Sequence, residues 1–442
     1  MNARRKCKSH LPLHPNGMHH CLSFRRLSVK CINELSPTSP KPTLMDKNKK
    51  PERTLLSVFM RLLELVPELR GEFLAECGFG SGKTCAYDSF MEVTFPSSKI
   101  PDYRPDGLLT CKRGSSEWTA FVEAKAGKSE IRPEQIQDYA HLATLLNVDC
   151  VVSISNEFAR NPTELPYHLA ANKRRKREIR HFAWAELRSM VDRFARDPEI
   201  SDLARNVLND AASFFWDQNS GIVTFDHMPK EWGEFVQSSG VGVGFSAKTP
   251  GITEIVHGWH QERRDLRSKI AHQSAKIVDL RHELGVRAEF DAILTYDRKR
   301  LAQDYELSAT YLFKHSRLSV DILCELQDRK TTVSIEIPPP SDKGAKAATT
   351  WLAKQTEDFD PTKTAIVMAW KGGKGNERHT SLEALRTDPD KLFDGFREAP
   401  KSIRLIRQVH DVRRFRSAKN FITDLEGLVL SLTAELDRGG FL

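Results

Sequence analysis

The sequence predicts an α/β protein: a central mixed sheet flanked by helices, then a helical region and a second α+β domain. Three observations carry that expectation. Between residues 54 and 155, segments of helical period and of strand length follow one another as α-β-β-β-α-β, the outline of an α/β sandwich. The segment Cys150-Val151-Val152-Ser153-Ile154 is short, apolar and β-branched, as suits a strand covered on both faces. Beyond residue 309, three successive runs alternate like an antiparallel meander. At roughly 100–200 residues per domain, a chain of 442 residues with 39% hydrophobic content supports two or three domains, each able to bury a core.

In chain order, Thr54 to Leu69 carries apolar residues at 55, 56, 58, 59, 62, 63, 65 and 66, a helix with a wide buried face. After a Gly-rich loop, Thr84–Phe95, Gly107–Cys111 and Trp118–Ala124 read as strands. Pro133 opens a helix at its first turn, where its missing N–H costs nothing, and the helix runs to about Asn147. Asp149–Ser155 is the next strand, and Ile179–Phe182 one more before a helix from Trp184. Residues 217–250 hold Gly and aromatic residues without period. Ile252–Leu284 then reads as a long charged helix with Ile255, Trp259, Leu266, Ile270, Ile277 and Leu280 at heptad-like intervals. A linker or packing arm fits it better than a dimerising coiled coil, because the seam is short. The strands Ala309–Phe313, Arg317–Leu326 and Thr331–Ile337 follow, and Pro338-Pro339-Pro340 stops the last. A helix to Lys354, a strand at Thr364–Trp370 and a helix at Asn420–Leu436 complete the chain. The expected division is therefore a disordered basic extension (1–44), a first α/β domain (45–215), a helical linker or arm (216–284) and an α+β accessory domain (285–442).

Composition excludes several classes. No run of about 18 apolar residues exists, so no membrane span is expected. The cysteines at 77, 85, 111, 150 and 324, like those at 7, 21 and 31, form no CxxC pair, which argues against a disulfide scaffold or a zinc ribbon and for the reducing cytoplasm. Residues 1–44 carry eight Lys/Arg against the single acid Glu34, so a net charge of +8 for the chain leaves +1 for the rest. The basicity is a property of the tail and no nucleic-acid footprint of the folded body. Prolines break any amphipathic presequence there, and Cys7, His10, His19, His20 and Cys21 are too irregularly spaced for a metal site.

Candidate chemistry concentrates in Arg104-Pro105-Asp106-Gly107-Leu108 and Phe121-Val122-Glu123-Ala124-Lys125. If the two strands are adjacent, alternation sets Glu123 and Lys125 on one face, and a hairpin brings Asp106 beside them. Two carboxylates and a backbone carbonyl, that of Ala124, make an oxygen-rich cage suited to Mg²⁺ or Mn²⁺. Such a cation lowers the pKa of a bound water and neutralises charge on a scissile phosphate, and a nearby Lys can orient that water.

Pro105-Asp106 with Glu123-Ala124-Lys125 resembles the two halves of the PD-(D/E)XK nuclease superfamily motif, the restriction-endonuclease-like fold. Gln135-Ile136-Gln137-Asp138-Tyr139 is similar to the QxxxY motif of its RecB-like branch, on a helix in the matching place. The resemblance covers residues 46–200. It implies Asp106, Glu123 and Lys125 as catalytic residues, Asp106, Glu123 and Ala124 as holders of Mg²⁺ (or Mn²⁺), and Gln135 and Tyr139 as substrate-positioning residues. It also implies a further acid from the first helix region, for which Glu52, Glu64 and Glu92 are candidates. A surface ion-pair cluster could supply any one piece; the ordered set is what carries the likeness.

Other patches are weaker. Gly78-Phe79-Gly80-Ser81-Gly82-Lys83-Thr84 looks like a P-loop, but Cys77 stands where the first Gly belongs and no buried strand precedes it, so a turn is expected. Lys173, Arg174, Arg175, Lys176, Arg177 and Arg180 form a basic run that could track phosphates without reading sequence. Arg404, Arg407, Arg413, Arg414 and Arg416 read as a surface set. Asp321 and Glu336 faintly echo the first motif, with Pro338 in place of the lysine. The functional expectation is a cytoplasmic, Mg²⁺-dependent nuclease acting on nucleic acid, DNA favoured, in prokaryotic restriction or anti-phage defence. A homodimer would suit cutting of both strands, and a regulatory partner or ligand would suit the carboxyl-terminal domain. The alternative is a catalytically silent nucleic-acid-binding or scaffolding protein that kept the fold.

Overall fold

In the computed structural model, which describes residues 50–80, 84–95, 103–159, 162–163, 165–167, 169, 177–240, 244–285, 290–314, 316, 318–340, 342–371, 376–393 and 395–442, Pro51 opens the first helix, α1 (Pro51–Leu65). Its Leu55, Leu56, Phe59, Leu62 and Leu63 are buried on one face. The expected single helix to Leu69 is two. Pro67 cannot donate to residue 63 and forces Val66 out of the helical region (φ −121°, ψ 95°), so α2 (Pro67–Glu76) starts afresh. Gly78, at φ +88°, ends α2, and the N–H of Phe79 returns to the Leu74 carbonyl at 2.9 Å. The Gly-rich segment thus leaves a helix where a P-loop would leave a strand; Lys83 lies outside the described residues.

β1 (Ala86–Met91), β2 (Gly107–Arg113) and β3 (Ser116–Ala124) form an antiparallel meander with Gly114 at φ +60° in the second turn. The crossover helix α3 (Pro133–Leu145) then brings β4 (Cys150–Ser155) parallel to β3, and β5 (Glu178–Ala183) lies parallel to β4. The sheet order is β1-β2-β3-β4-β5, a mixed five-stranded sheet. All six residues of β4 are buried, as a strand covered on both faces requires. On one side, Ala120, Val122, Val152 and Phe182 pack with α1, α2, α4 (Trp184–Ala195) and α5 (Asp202–Trp216). On the other, Leu108, Phe121 and Val151 pack with Ile136, Tyr139 and Leu142 of α3.

The second unit contains α6 (Trp232–Ser239), α7 (Ile252–Ser274), β6 (Val278–Arg281), α8 (Phe290–Asp304), β7 (Glu306–Phe313), β8 (Ser319–Glu325) and β9 (Lys330–Ile337). There follow α9 (Ala345–Gln355), β10 (Ala365–Ala369), β11 (Glu377–Ser381), α10 (Leu382–Thr387), α11 (Asp390–Phe393), β12 (Ser402–His410), α12 (Val412–Arg416) and α13 (Ala418–Arg438). Its seven strands pair antiparallel throughout in the order β11-β10-β12-β9-β8-β7-β6. Strict alternation of buried and half-buried residues along β7 and β8 marks one face turned to the core.

Two expectations need correction here. The helix from Ile252 stops at Ser274: Ala275 takes a left-handed conformation (φ 53°), and Val278–Arg281 is an edge strand on β7. Nor does that helix stand apart as an arm. Ile252, Ile255, Trp259, Leu266 and Ile270 share one buried cluster with the second sheet, and Trp259 Nε1 donates to the Ser308 carbonyl at 3.0 Å. The two units meet through α4 and α7, where Arg188 and Asp265 form a buried ion pair at 3.0 Å and the Arg188 guanidinium lies 3.6 Å over the Trp216 ring. No helix among the described residues is long and apolar enough to cross a membrane. The expected extension at 1–44 lies outside the described residues.

Candidate active site on the α3 face of the first sheet

The β2–β3 register pairs Gly107 with Val122, so Asp106, one residue before β2, comes opposite Glu123 near the end of β3. Asp106 Oδ2 accepts the Ala124 N–H at 2.9 Å, which locks the carboxylate at the strand end. Strand alternation turns Glu123 to the side of Phe121, the α3 face, and Ala124 to the α1 face. Glu123 is 2% exposed; its Oε1 accepts Lys125 Nζ, and its Oε2 is buried with no hydrogen-bond partner among the described residues. Lys125 Nζ also reaches the Ala124 carbonyl at 3.4 Å, and the Lys125 backbone is pinned by Ile154 O (2.8 Å) and Trp184 Nε1 (2.7 Å).

Burial, with the facing Asp106 charge adding to it, pushes Glu123 up to about 7; Lys125 and Tyr139 hold it back. Burial likewise raises Asp106, against the Ala124 N–H and Lys125, while the charge of Glu52 pushes the same way as burial. Two partly desolvated carboxylates thus share the single ammonium of Lys125, and among the described residues Glu123 Oε2 makes no hydrogen bond. That donor set suits a hard divalent ion completed by the Ala124 carbonyl, water and a phosphate oxygen. Among the described residues, no three His, Cys, Asp or Glu side chains come together as a metal-holding group, so the site rests on two carboxylates and that carbonyl.

Helix α3 supplies the opposite wall. Gln135 Nε2 donates to Tyr139 Oη at 3.1 Å, and the Tyr139 hydroxyl donates to the Arg104 carbonyl at 3.0 Å. Gln135 Oε1 is buried without a partner among the described residues. Beside them opens a cleft of about 510 Å³ lined by Tyr103, Gln135 and Tyr139, by Arg104 and Arg132, and by the acids Glu134 and Asp138.

Of the three candidate extra acids, Glu52 is the one whose charge acts on Asp106. Glu64 is engaged elsewhere, accepting from Arg61 and from Ser89 Oγ (3.1 Å). Glu92, at φ +50°, ion-pairs with Arg53 (3.3 Å) and Arg104 (2.8 Å), while its N–H donates to the Asp106 carbonyl at 2.9 Å. Of the basic run, Lys173, Arg174, Arg175 and Lys176 lie outside the described residues. Arg177 donates to Asn147 Oδ1 at 2.6 Å, and Arg180 is directed at Glu178 (2.6 Å) and the Glu76 carbonyl (3.3 Å). Asp321 and Glu336 do not face each other: Asp321 pairs across to Ser334 and accepts from Thr310 Oγ1, and Glu336 pairs across to Arg404.

Sequence reasoning missed the rest of this polar row. The register carries it from Glu123 to Ser153 on β4 and to His181 on β5, both fully buried. His181 Nε2 must donate to the Glu157 carbonyl (2.8 Å), so Nδ1 accepts from Ser153 Oγ (2.9 Å), which also meets Tyr167 Oη at 2.7 Å. The parallel strand pairing that aligns the row has no local signature, whereas the Asp106 hairpin has one. Comparison with protein-family models, with curated proteins and with solved structures finds no match to this chain.

Proposed function

We propose that the chain is a divalent-cation-dependent nuclease that hydrolyses phosphodiester bonds of nucleic acid, DNA favoured. The observation that carries this reading is the facing pair Asp106 and Glu123, with Lys125 on one Glu123 oxygen and the other oxygen buried without a partner among the described residues. The order of motifs, similar to that of PD-(D/E)XK nucleases, supports it. Asp106, Glu123 and the Ala124 carbonyl would hold Mg²⁺ or Mn²⁺, with Glu52 nearby. When bound, the cation lowers the pKa of a coordinated water and offsets charge on the scissile phosphate.

The chain's own groups do the rest. Lys125 Nζ, already anchored to Glu123, donates towards the attacking water and offsets charge gathering on the phosphate oxygens. Water adds to phosphorus as the bridging P–O bond breaks; the proton shed by the attacking water passes to solvent, and the leaving oxygen takes one from solvent. Gln135 and Tyr139 hold the nucleotide at the cleft wall, where Arg132 can meet a flanking phosphate beside the acids Glu134 and Asp138. The cysteines at 77, 85, 111, 150 and 324, free and buried, agree with a cytoplasmic setting, and restriction or anti-phage defence is the role in view.

The test is cleavage of circular single-stranded DNA, supercoiled plasmid and RNA by the full chain with Mg²⁺ or Mn²⁺. Glu123→Ala and Lys125→Ala are expected to lower cutting at least about 100-fold while leaving the far-UV spectrum unchanged. Loss of cutting on chelation should be reversed by added metal. If no substrate is cut by the wild-type chain and nucleic acid still binds, the fold serves binding or scaffolding and the hydrolytic reading fails.

A further inference from the structure

A second cleft, of about 490 Å³, lies where the two units meet, and the carboxylate pair takes no part in it. Its walls come from α2, α4 and α7, from Phe158 and Pro162, and from Leu280 of β6. Three guanidinium groups line it. Arg193 ion-pairs with Glu72; Arg264 ion-pairs with Glu186 at 3.2 Å and donates to the Ala159 carbonyl at 3.1 Å. Arg267 differs. Among the described residues its hydrogen bonding amounts to Nη2 on Ser189 Oγ at 2.9 Å, with no carboxylate paired to it.

Burial pushes the Arg267 pKa down, and the like charges of Arg264 and Arg193 push it further, with Asp279 and Glu186 offsetting part. Arg267 is half-buried and none of its nitrogens is a buried atom left without a partner, so the donors that Ser189 does not use are open to an anion in the cleft. Asp265, also on the wall, is taken by Arg188 and Lys269. Glu76 is the acid there whose side chain meets no cation within ion-pair distance among the described residues, and burial with the Glu72 charge raises its pKa. The cleft therefore offers one cation to an anion and one carboxyl to a donor. Phe158, Met190 and Leu280 supply an apolar surface between these polar demands.

We propose that this cleft binds a small phosphate ester carrying a flat, amino-bearing ring, a ligand of the mononucleotide class. The phosphate meets the Arg267 fork with Arg193 and Arg264 beside it, and the ring lies on the apolar wall. The volume fits: pockets for such ligands run about 300–1,000 Å³. Because Arg264 and Arg267 belong to α7 and Glu186 and Ser189 to α4, the ligand would bridge the two units. The inference does not depend on the nuclease reading.

The experiment is calorimetric titration and thermal unfolding of the full chain in EDTA, with adenosine 5′-monophosphate, inorganic phosphate and adenosine as probes. The monophosphate is expected to bind and, at saturation, to raise Tm by about 3 °C or more, and each of the other two to bind at least about tenfold more weakly. Arg267→Met should weaken the monophosphate at least about tenfold while the ligand-free Tm stays level or rises. A purely structural arginine would instead lower that Tm. Arg193→Gln, on the rim, should weaken binding about threefold, and it decides the matter if Arg267→Met does not fold. Glu123→Ala should bind as the wild type does. No binding at millimolar monophosphate, equal binding of inorganic phosphate, unchanged affinity in the arginine variants, or loss confined to Glu123→Ala would each overturn the proposal.

Discussion

Across the first sheet, Asp106 just before β2, Glu123, Ser153 and His181 stand in one row, and at its acid end Glu123 Oε2 and Gln135 Oε1 are buried without partners among the described residues, Gln135 lining a cleft. In the second sheet, charge is buried differently. Arg407 on β12 is 1% exposed, yet Nε donates to Thr364 Oγ1 (3.1 Å), Nη1 to Ser431 Oγ (3.2 Å) and Nη2 to Glu435. Asp297 on α8 likewise collects His260 (2.7 Å), His282 (3.0 Å) and Arg263 (3.2 Å), although Arg263 Nε stays without a partner among the described residues. Polar groups that satisfy one another inside a core hold elements together. Polar groups left short of a partner at the edge of a cleft are free to take one from outside. The contrast is why the first sheet, and no cluster of the second, is assigned chemistry.

The sharpest way to break the contrast is at Arg407. Arg407→Met removes three interactions at once and leaves Glu435 buried without its cation, so a loss of about 3–5 kcal/mol is expected in urea unfolding. Adding Glu435→Leu should recover most of it, because the desolvated charge then leaves with its partner. A single-variant loss below about 1 kcal/mol would mean that the second sheet does not rely on its internal pair.

How far the sequence could be read follows the same division. Asp106, Glu123, Lys125, Gln135 and Tyr139 come together because a hairpin and the helix after it are local, and alternation is enough to orient them. The choice among Glu52, Glu64 and Glu92 was not legible, since it depends on how α1 lies on the sheet. Arg407 was taken for one of a surface set with Arg404, Arg413, Arg414 and Arg416; Ile403, Leu405 and Arg407 are buried in turn along β12, and arginine carries no sign of that. β12 itself sits between β10 and β9, out of chain order, so no neighbouring segment announces it. The end of α7 was missed because Ala275 takes a left-handed turn that glycine usually signals, and Ile277 and Leu280 continue the apolar spacing into an edge strand.

His181 on β5 of the first unit and His260 on α7 of the second are both buried, which allows a matched test. Burial pushes His181 and His260 down to about 4, opposed by the Glu157 carbonyl in one case and chiefly by Asp297 in the other. Between about pH 6.5 and 4 the unfolded chain takes up a proton that the folded chain resists, so stability is full above that window and falls as pH drops through it. Each histidine is expected to contribute about 1.4 kcal/mol per pH unit there. His181→Gln and His260→Gln should each flatten the slope of stability against pH by that amount. A slope unchanged in either variant would show that histidine already protonated in the fold.

Glu262 sharpens the comparison from the other side, because it breaks the second unit's rule. It sits on α7 fully buried, with neither carboxyl oxygen partnered among the described residues, and it lines neither of the two clefts described above. Burial raises its pKa well above the usual range, Glu426 and Asp265 add to this, and Lys269 opposes it. A folded pKa above the unfolded one means a contribution that is present below about pH 4.5 and lost as pH rises. Glu262→Met, close in volume and without polar atoms, should therefore stabilise the fold by about 1–2 kcal/mol at pH 8 and by less at pH 4. Glu262→Gln should gain less, since its amide stays unpartnered. If Glu262→Met instead loses stability at both pH values, the carboxyl has a partner in solution, and the second core is as fully satisfied as its other clusters suggest.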